Sequence, residues 1–457
     1  MIKDIIEALS ELLPHQILHG QQVGTKYAVD WSGESALTPD IVVRPTNVAH
    51  VSALLQYCNQ HQLPIVIQGG MTGLSGGSTP QHSEIVLSLE RLTGISELDT
   101  ESMTLTALAG TPLEHLQLAA SEAGLYLPLD LGARGSCTVG GNVATNAGGN
   151  QVLSYGMTRS LVLGLEAVTA DGTIIRSMNK MLKNNAGYDL KQLFIGSEGT
   201  LGVVTEVVFR LFPKPLNKQS ALCGFSTFSQ AVFFLQRMQS TCSRVSAFEI
   251  MWDNYLKQVL VMNQQFSRPL AEDHAFYVLI EIEGNESERD VESFNLQLQA
   301  CLDDGILNDA IVAQSDRDVG QFWQLRDGVV DILASVTHRA NFDIGVPISQ
   351  MPAFVEAVEA SLSAQFDHLE LCIFGHMADG NLHIIAWTGR EGDVELIYQK
   401  VYTLVGNMGG TITAEHGIGT MKRQYLSLCR SEQEIALMRL IKQTMDPNNI
   451  LNPGRVI

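Results

Sequence analysis

Residues Leu63-Pro-Ile-Val-Ile67 run directly into Gln68-Gly-Gly-Met-Thr-Gly-Leu-Ser-Gly-Gly-Ser78. The first stretch is short, apolar and bounded by turn formers, which predicts a buried strand. Upstream, Ile41-Val-Val-Arg-Pro45 predicts another strand. Asn47 to His61 predicts a helix, capped by Asn47 and carrying Val48, Val51, Leu54 and Leu55 on one face. The unit is strand, helix, strand, and it delivers a glycine loop. Two further glycine loops follow: Asp130-Leu-Gly-Ala-Arg-Gly-Ser-Cys-Thr-Val-Gly-Gly-Asn-Val-Ala-Thr-Asn-Ala-Gly-Gly149 and Phe194-Ile-Gly-Ser-Glu-Gly-Thr-Leu-Gly-Val-Val-Thr205. Successive backbone N–H groups converge most easily where glycine permits positive φ, and such nests bind phosphate oxygens. Three of them in one region imply an extended anionic ligand such as a dinucleotide. Tight turns are the alternative for any single loop, but these loops also carry Thr72, Ser136, Thr138, Asn142 and Thr145. No G-x-G-x-x-G joins a strand to a helix and no G-x-x-x-x-G-K-[ST] occurs, so neither a Rossmann site nor a P-loop is supported.

Working outward, 85–89 and 104–108 predict strands, and Pro112 to Glu122 predicts a helix ended by Gly124. Strands at 162–168 and 174–175 flank the turn Asp171-Gly172. In the second half, Phe276 to Ile282 predicts a strand and Val291 to Leu302 a helix. The glycines crowd into 69–77, 132–149, 196–202 and 406–419, whereas 215–375 has few clusters. The expected division is a domain over 1–214, closed by Phe212-Pro-Lys-Pro215, a second over 215–405, and a segment 406–457 that returns to the first. The class is α+β.

Of 457 residues, 45% are hydrophobic and 17% charged, enough for a large core and incompatible with a disordered chain. The net charge of −20 repels phosphate backbones, which argues against nucleic acid as a partner. Residues 1–14 predict an amphipathic helix rather than a secretory signal, and no run reaches 18 apolar residues. The seven cysteines are scattered without a C-x-x-C pair, so a reduced, cytoplasmic setting is expected.

A second chemical signal is Phe374-Gly-His-Met-Ala-Asp-Gly-Asn-Leu-His-Ile-Ile-Ala-Trp387. Asp379-Gly380 is a strong two-residue hairpin turn. A turn there would make His376 and His383 direct cross-strand partners, with Cβ atoms roughly 5 Å apart, suited to one cation with an open position. A pair of hydrogen-bonded sheet histidines is the alternative. Thr413-Ala-Glu-His-Gly-Ile-Gly419 would supply Glu415 as third ligand and His416 as acid/base group. On a regular strand those neighbours point to opposite faces, and Gly417 suggests that the strand ends there.

With these motifs, the chain from about 40 to 457 resembles the flavin enzymes of the vanillyl-alcohol-oxidase type. It is most similar to the branch of FAD-dependent D-2-hydroxy-acid dehydrogenases that act on D-lactate, glycolate or D-2-hydroxyglutarate. That branch shows H-x-x-x-G-N-x-H followed by E-H-G-[IV]-G, both present here. The resemblance implies a two-subdomain FAD-binding domain plus an α+β cap domain with an antiparallel sheet. It implies that Gly69, Gly70, Met71, Thr72, Gly73 and Gly76 wrap the FAD pyrophosphate, with Pro45 nearby. Gly135, Ser136, Thr138, Gly141, Asn142, Thr145 and Gly148 would line the isoalloxazine and diphosphate, and Glu198, Gly202 and Val204 the adenine end. In Asp446-Pro-Asn-Asn-Ile-Leu-Asn-Pro-Gly454, Asn452 would lie near the flavin. Some relatives bond a histidine of the first loop to the flavin; Met71 stands there here, so non-covalent FAD is expected.

The resemblance further implies His376, His383 and Glu415 as ligands of a divalent metal, Zn or Mn, with His416 as general base and Asn381 beside the substrate. Arg326 would clamp the substrate carboxylate. Where the hydroxyglutarate enzymes place a lysine for the distal carboxylate, this chain has Asn341, which favours D-lactate or a related monocarboxylate over hydroxyglutarate. His338 and Arg339 are candidate substitutes. The expected reaction oxidises a D-2-hydroxy acid to a 2-oxo acid, the metal acidifying the hydroxyl and hydride passing to flavin N5. The expected electron acceptor is a quinone or an electron-transfer protein, a homodimer is an admissible assembly, and peripheral membrane association is left open. The rival readings are a metal-independent flavin oxidase of another alcohol and a flavin-carrying electron-transfer subunit.

Overall fold

The computed structural model describes residues 2–33, 37–81, 83–263 and 265–457. They form two compact units: one from residues 1–149, 155–214 and 415–457, the other from 150–154 and 215–414.

The first unit is built on two sheets. In the four-stranded sheet the order is Ile17–His19, Ile41–Val43, Ile85–Ser88, Ile65–Gln68; the last three run parallel. The helix Val48–His61 makes the crossover, started by Asn47, whose side chain accepts the His50 N–H. Its Val51, Leu54, Leu55 and Cys58 are fully buried against Ile41, Val43, Ile65, Ile85 and Leu87. At about 1.5–3 kcal/mol per buried aliphatic chain, this face anchors the strand that feeds the first glycine loop. Ile450 and Leu451 complete that core, and Leu451 bridges Ile65. The second sheet is antiparallel, in the order Ile95–Asp99, Thr104–Leu108, Val203–Arg210, Val162–Val168, Ile174–Ser177.

The second unit is one seven-stranded antiparallel sheet: Asp309–Val312, Asn217–Phe225, Phe276–Gly284, Val245–Trp252, Glu370–His376, Asn381–Trp387, Arg339–Gly345. On one face Tyr255, Leu256 and Val259 of the helix Asp253–Met262 and Phe322 and Leu325 of the helix Asp316–Asp327 pack on Met251, Leu279, Cys372, Phe374 and Ile385. On the helix Val394–Asn407, Tyr398 and Tyr402 meet Phe342 edge-on. Gly345 and Thr411 exchange backbone hydrogen bonds, and Ala414 N–H donates to Asp343 O. These bonds keep 406–414 with the second unit, so the return to the first begins at Glu415, not at 406.

Candidate active site

In the first unit, the Ile65–Gln68 strand ends at the edge of a cavity of about 650 Å³. Gly69, Gly70 and Met71 line it, with Ser136 and Thr138 of the second loop and Lys26, Tyr27, Glu90, Thr111 and His115. The two glycine loops touch: a Cβ on Gly70 would lie 2.1 Å from Ser136 O, and one on Gly69 2.5 Å from Thr138 Oγ1. Only glycine permits this approach. Gln68 Oε1, Thr138 Oγ1 and Asn142 Nδ2 are buried without a hydrogen-bond partner among the described residues. Buried polar atoms are normally paired, and Gln68 and Thr138 line the cavity, so their two orphans suit a polar ligand such as FAD.

The other loop residues are placed as follows. Asn142 and Thr145 lie on the helix Val139–Thr145, where Thr145 Oγ1 donates to Gly141 O at 3.1 Å. Gly73 faces Asp30, and Gly135 lies near Glu114. Gly76 has φ +73°. Pro45 and Gly148 are buried. Gly202 lies against the Phe194 ring, and Val204 is in the core of the second sheet. The Glu198 carboxylate accepts the N–H groups of Ile418 and Gly419 at 2.7 and 2.8 Å. Burial holds its carboxyl above the ordinary carboxylate range, those two bonds only partly opposing it.

The same contacts position the second motif. Ser75 Oγ donates to His416 O at 3.0 Å, and Ser75 O accepts from Thr420 and Met421. His416 is thereby tied to the first glycine loop. Glu415 Oε1 accepts the Gly149 N–H at 3.0 Å. Residues 412–418 form bends rather than a strand, with Gly417 at φ +79°, so the alternation of a strand does not separate Glu415 from His416.

In the second unit, His376 ends the strand Glu370–His376 and His383 lies on Asn381–Trp387. The expected direct pairing of the two does not occur: His383 is opposite Phe374, and His376 is opposite Glu249. The reason is the turn. Met377–Asp379 forms a 3₁₀ turn closed by Gly380 at φ +86°, a longer connection than a two-residue hairpin. The imidazoles still meet, edge to face, with centroids 5.4 Å apart.

Behind them is a buried polar cluster. Glu249 Oε1 is 2.7 Å from His376 Nδ1, and Glu249 Oε2 accepts from Arg326 Nε at 2.9 Å. Arg326 Nη2 lies 3.2 Å from His376 Nε2, and Nη1 donates to Asp327 at 3.2 Å. Arg326 is 8% exposed, not a surface arginine. Burial would raise the Glu249 carboxyl, but its bonds to His376 and Arg326 hold it below the ordinary carboxylate range. Asn381 donates both amide hydrogens, to Asp343 Oδ1 at 2.8 Å and Ile344 O at 3.1 Å, and its Oδ1 is buried without a partner among the described residues. Asp343 is opposite His383; Arg339 and Asn341 follow on the same face of their strand. Asn341 is exposed, its N–H bonded to Tyr398 Oη.

Glu249 and Asp343 were not among the candidates. Each is a lone acid in an apolar strand, Phe248-Glu-Ile-Met-Trp252 and Phe342-Asp-Ile344, and that exception to the burial rule was the available signal.

The fold is that of a flavoprotein of the vanillyl-alcohol-oxidase type: a p-cresol methylhydroxylase structure with substrate bound superposes with a TM-score of 0.79 over 99% of this chain and 96% of the other, at 16% identity. An alkyldihydroxyacetonephosphate synthase gives 0.74 over 99% and 84%, at 19% identity. Residues 39–177 match the FAD binding domain, and 214–456 match the C-terminal domain of FAD linked oxidases. The chain belongs to the FAD-linked oxidases, in the branch of the D-2-hydroxy-acid dehydrogenases, oxidoreductases acting on CH–OH. It is 39% identical over 439 residues to a D-2-hydroxyglutarate dehydrogenase of Xanthomonas citri pv. viticola, covering 94% of this chain and 92% of that one. It is 35% identical to the mitochondrial D-2-hydroxyglutarate dehydrogenase of Bos taurus, covering 100% and 84%. A putative mitochondrial D-lactate dehydrogenase of Schizosaccharomyces pombe is 34% identical, covering 94% and 84%.

Proposed function

We propose that the chain oxidises a D-2-hydroxy acid to the 2-oxo acid, with FAD held non-covalently in the first unit and a divalent cation, Zn or Mn, held by His376, His383 and Glu415. The observation that carries this reading is the meeting of the His376 and His383 rings with a carboxylate fixed behind one of them. Imidazole and carboxylate are the usual donors of a catalytic cation that keeps one position open. Glu415 is one peptide bond from Ala414, whose N–H is bonded to Asp343 O, and Asp343 is the strand partner of His383.

When bound, the cation would supply Lewis acidity at the C2 hydroxyl and the flavin an acceptor for the hydride. Arg326 orients the C1 carboxylate: of its five N–H groups, Glu249, Asp327 and His376 engage three, which leaves two for a bidentate contact. Asn381 presents its Oδ1 to the bound hydroxy acid. His416, held at the glycine loop by Ser75, takes the hydroxyl proton. Gly69 to Gly73 with Gly76 wrap the pyrophosphate. Gly135, Ser136, Thr138, Gly141, Asn142, Thr145 and Gly148 form the flavin side of the cradle. Pro45, Glu198, Gly202, Val204 and Asn452 hold its shape. Electrons leave to a quinone or an electron-transfer protein. No helix among the described residues is long and apolar enough to cross a membrane.

The substrate is a monocarboxylate such as D-lactate, because Asn341 offers a neutral amide where a second carboxylate needs a cation. D-2-hydroxyglutarate is the second reading. Seven relatives carry that name, two of them as probable, and Arg339 shares the face of Asn341, although one of its guanidinium N–H groups is bonded to Val336 O. His383→Ala tests the site: it should lose the cation and turnover while keeping a full complement of FAD. Unchanged turnover refutes the ligand role.

A further inference from the structure

The cluster around Glu249 contains more than a ligand and a clamp. Glu249 lies in the middle of Val245–Trp252, a strand buried along its whole length, and is itself 1% exposed. A carboxylate in such a place is costly unless both oxygens are engaged. They are, and by the two groups on which the chemistry turns: Oε1 meets His376 Nδ1 and Oε2 meets Arg326 Nε. The support is rigid, since Glu249 pairs with His376 on one side of its strand and with Leu279 on the other.

We propose that Glu249 is a positioning residue that sets His376 and Arg326 together. It fixes the Nδ1–H tautomer of His376, so that Nε2 carries the lone pair that Arg326 holds here and a divalent cation takes when it binds, and it aims the Nη edge of Arg326 at the same place. The argument is one of donors and acceptors. An ionised carboxylate only accepts, so the 2.7 Å bond places the proton on Nδ1 and leaves Nε2 as the ligand atom. Arg326 Nη2 donates to that Nε2 at 3.2 Å, so the guanidinium holds the lone pair in this structure and yields it to a bound cation as it turns to the substrate carboxylate. One acid thus couples cation affinity to substrate affinity. The inference rests on the reading of His376 as a ligand and Arg326 as the carboxylate clamp.

The test uses the full-length, FAD-loaded protein, stripped of divalent ions and titrated with Mn²⁺ or Zn²⁺ against a competing chelator. In Glu249→Gln, with flavin content and melting temperature as in the wild type, the cation Kd should rise about 10–100-fold. KM for the hydroxy acid should rise in the same variant, and Glu249→Asp should recover part of both losses. If the wild type binds the cation, His383→Ala does not, and Glu249→Gln binds as tightly as the wild type, the role of Glu249 is overturned while the cation site stands. If the wild type binds neither ion, the cation site itself is refuted and the inference falls with it. Should the Glu249 variants not fold, ¹⁵N-histidine spectra of the wild type, with His376 assigned through His376→Gln, decide the matter. An Nδ1–H tautomer supports the role, and an Nε2–H tautomer overturns it.

Discussion

The side-chain carbonyl of Asn452 accepts the N–H of Ile67 at 2.9 Å, joining the C-terminal tail to the strand that feeds the first glycine loop. The same amide donates to Glu198 O at 2.6 Å, and Asn452 sits at φ +43°, a conformation asparagine tolerates better than most residues. Asn452→Ala leaves both groups unpaired. It should cost about 1–3 kcal/mol of stability and lower FAD occupancy, measured by urea unfolding and by the flavin-to-protein absorbance ratio. A variant as stable and as yellow as the wild type would show that the tail is not part of the cradle.

Gly70→Ala inserts a methyl group 2.1 Å from Ser136 O and 2.9 Å from Cys137 Cα, both backbone atoms that cannot swing aside. The loops must part. The expected cost is about 1–3 kcal/mol, seen as a lower melting temperature together with weaker FAD binding. Retention of both values would mean that the loops do not need to touch.

Much of this arrangement was legible because local chemistry and fold agree. Asn47 caps its helix, Asp171-Gly172 turns its hairpin, and Phe276 begins a strand, each where propensity puts it. The failures were failures of register. Asp379-Gly380 is in a turn, but the backbone spends two more residues, Met377 and Ala378, on a 3₁₀ segment, so His383 slips to Phe374, and His376 pairs with Glu249 of the strand on its other side. Turn residues signal that a chain reverses and leave open how many residues the reversal takes. Glu249 escaped notice because its partners, Arg326 and His376, are distant in sequence and only the sheet order brings them to it.

Stability should depend on pH through Glu198. Its folded carboxyl is raised above the ordinary 4.5 by burial, so the native state keeps a proton that the unfolded chain has lost. The contribution is fully present below the unfolded value and is lost as pH rises through the folded one. Relative to Glu198→Gln, which does not titrate, the wild type should therefore lose stability as pH rises above 4.5, followed by denaturant midpoints. A difference that is flat with pH would contradict the assigned direction.

Substrate choice follows from Asn341. D-lactate and its monocarboxylate relatives should give higher kcat/KM than D-2-hydroxyglutarate, and Asn341→Lys should shift the ratio toward hydroxyglutarate by about tenfold, roughly the 1.4 kcal/mol of one added charged contact. Steady-state kinetics with both acids checks this. The opposite ranking in the wild type would assign the distal carboxylate to Arg339 or another cation.

Anaerobic mixing of the purified flavoprotein with D- and L-2-hydroxy acids, with and without prior chelation, bears most directly on the central claim. A D-2-hydroxy acid should bleach the flavin, its L-enantiomer should not, and removal of divalent ions should abolish the bleaching until Zn²⁺ or Mn²⁺ is restored. Full bleaching after exhaustive chelation, or none by any 2-hydroxy acid in the metal-loaded protein, would contradict the account.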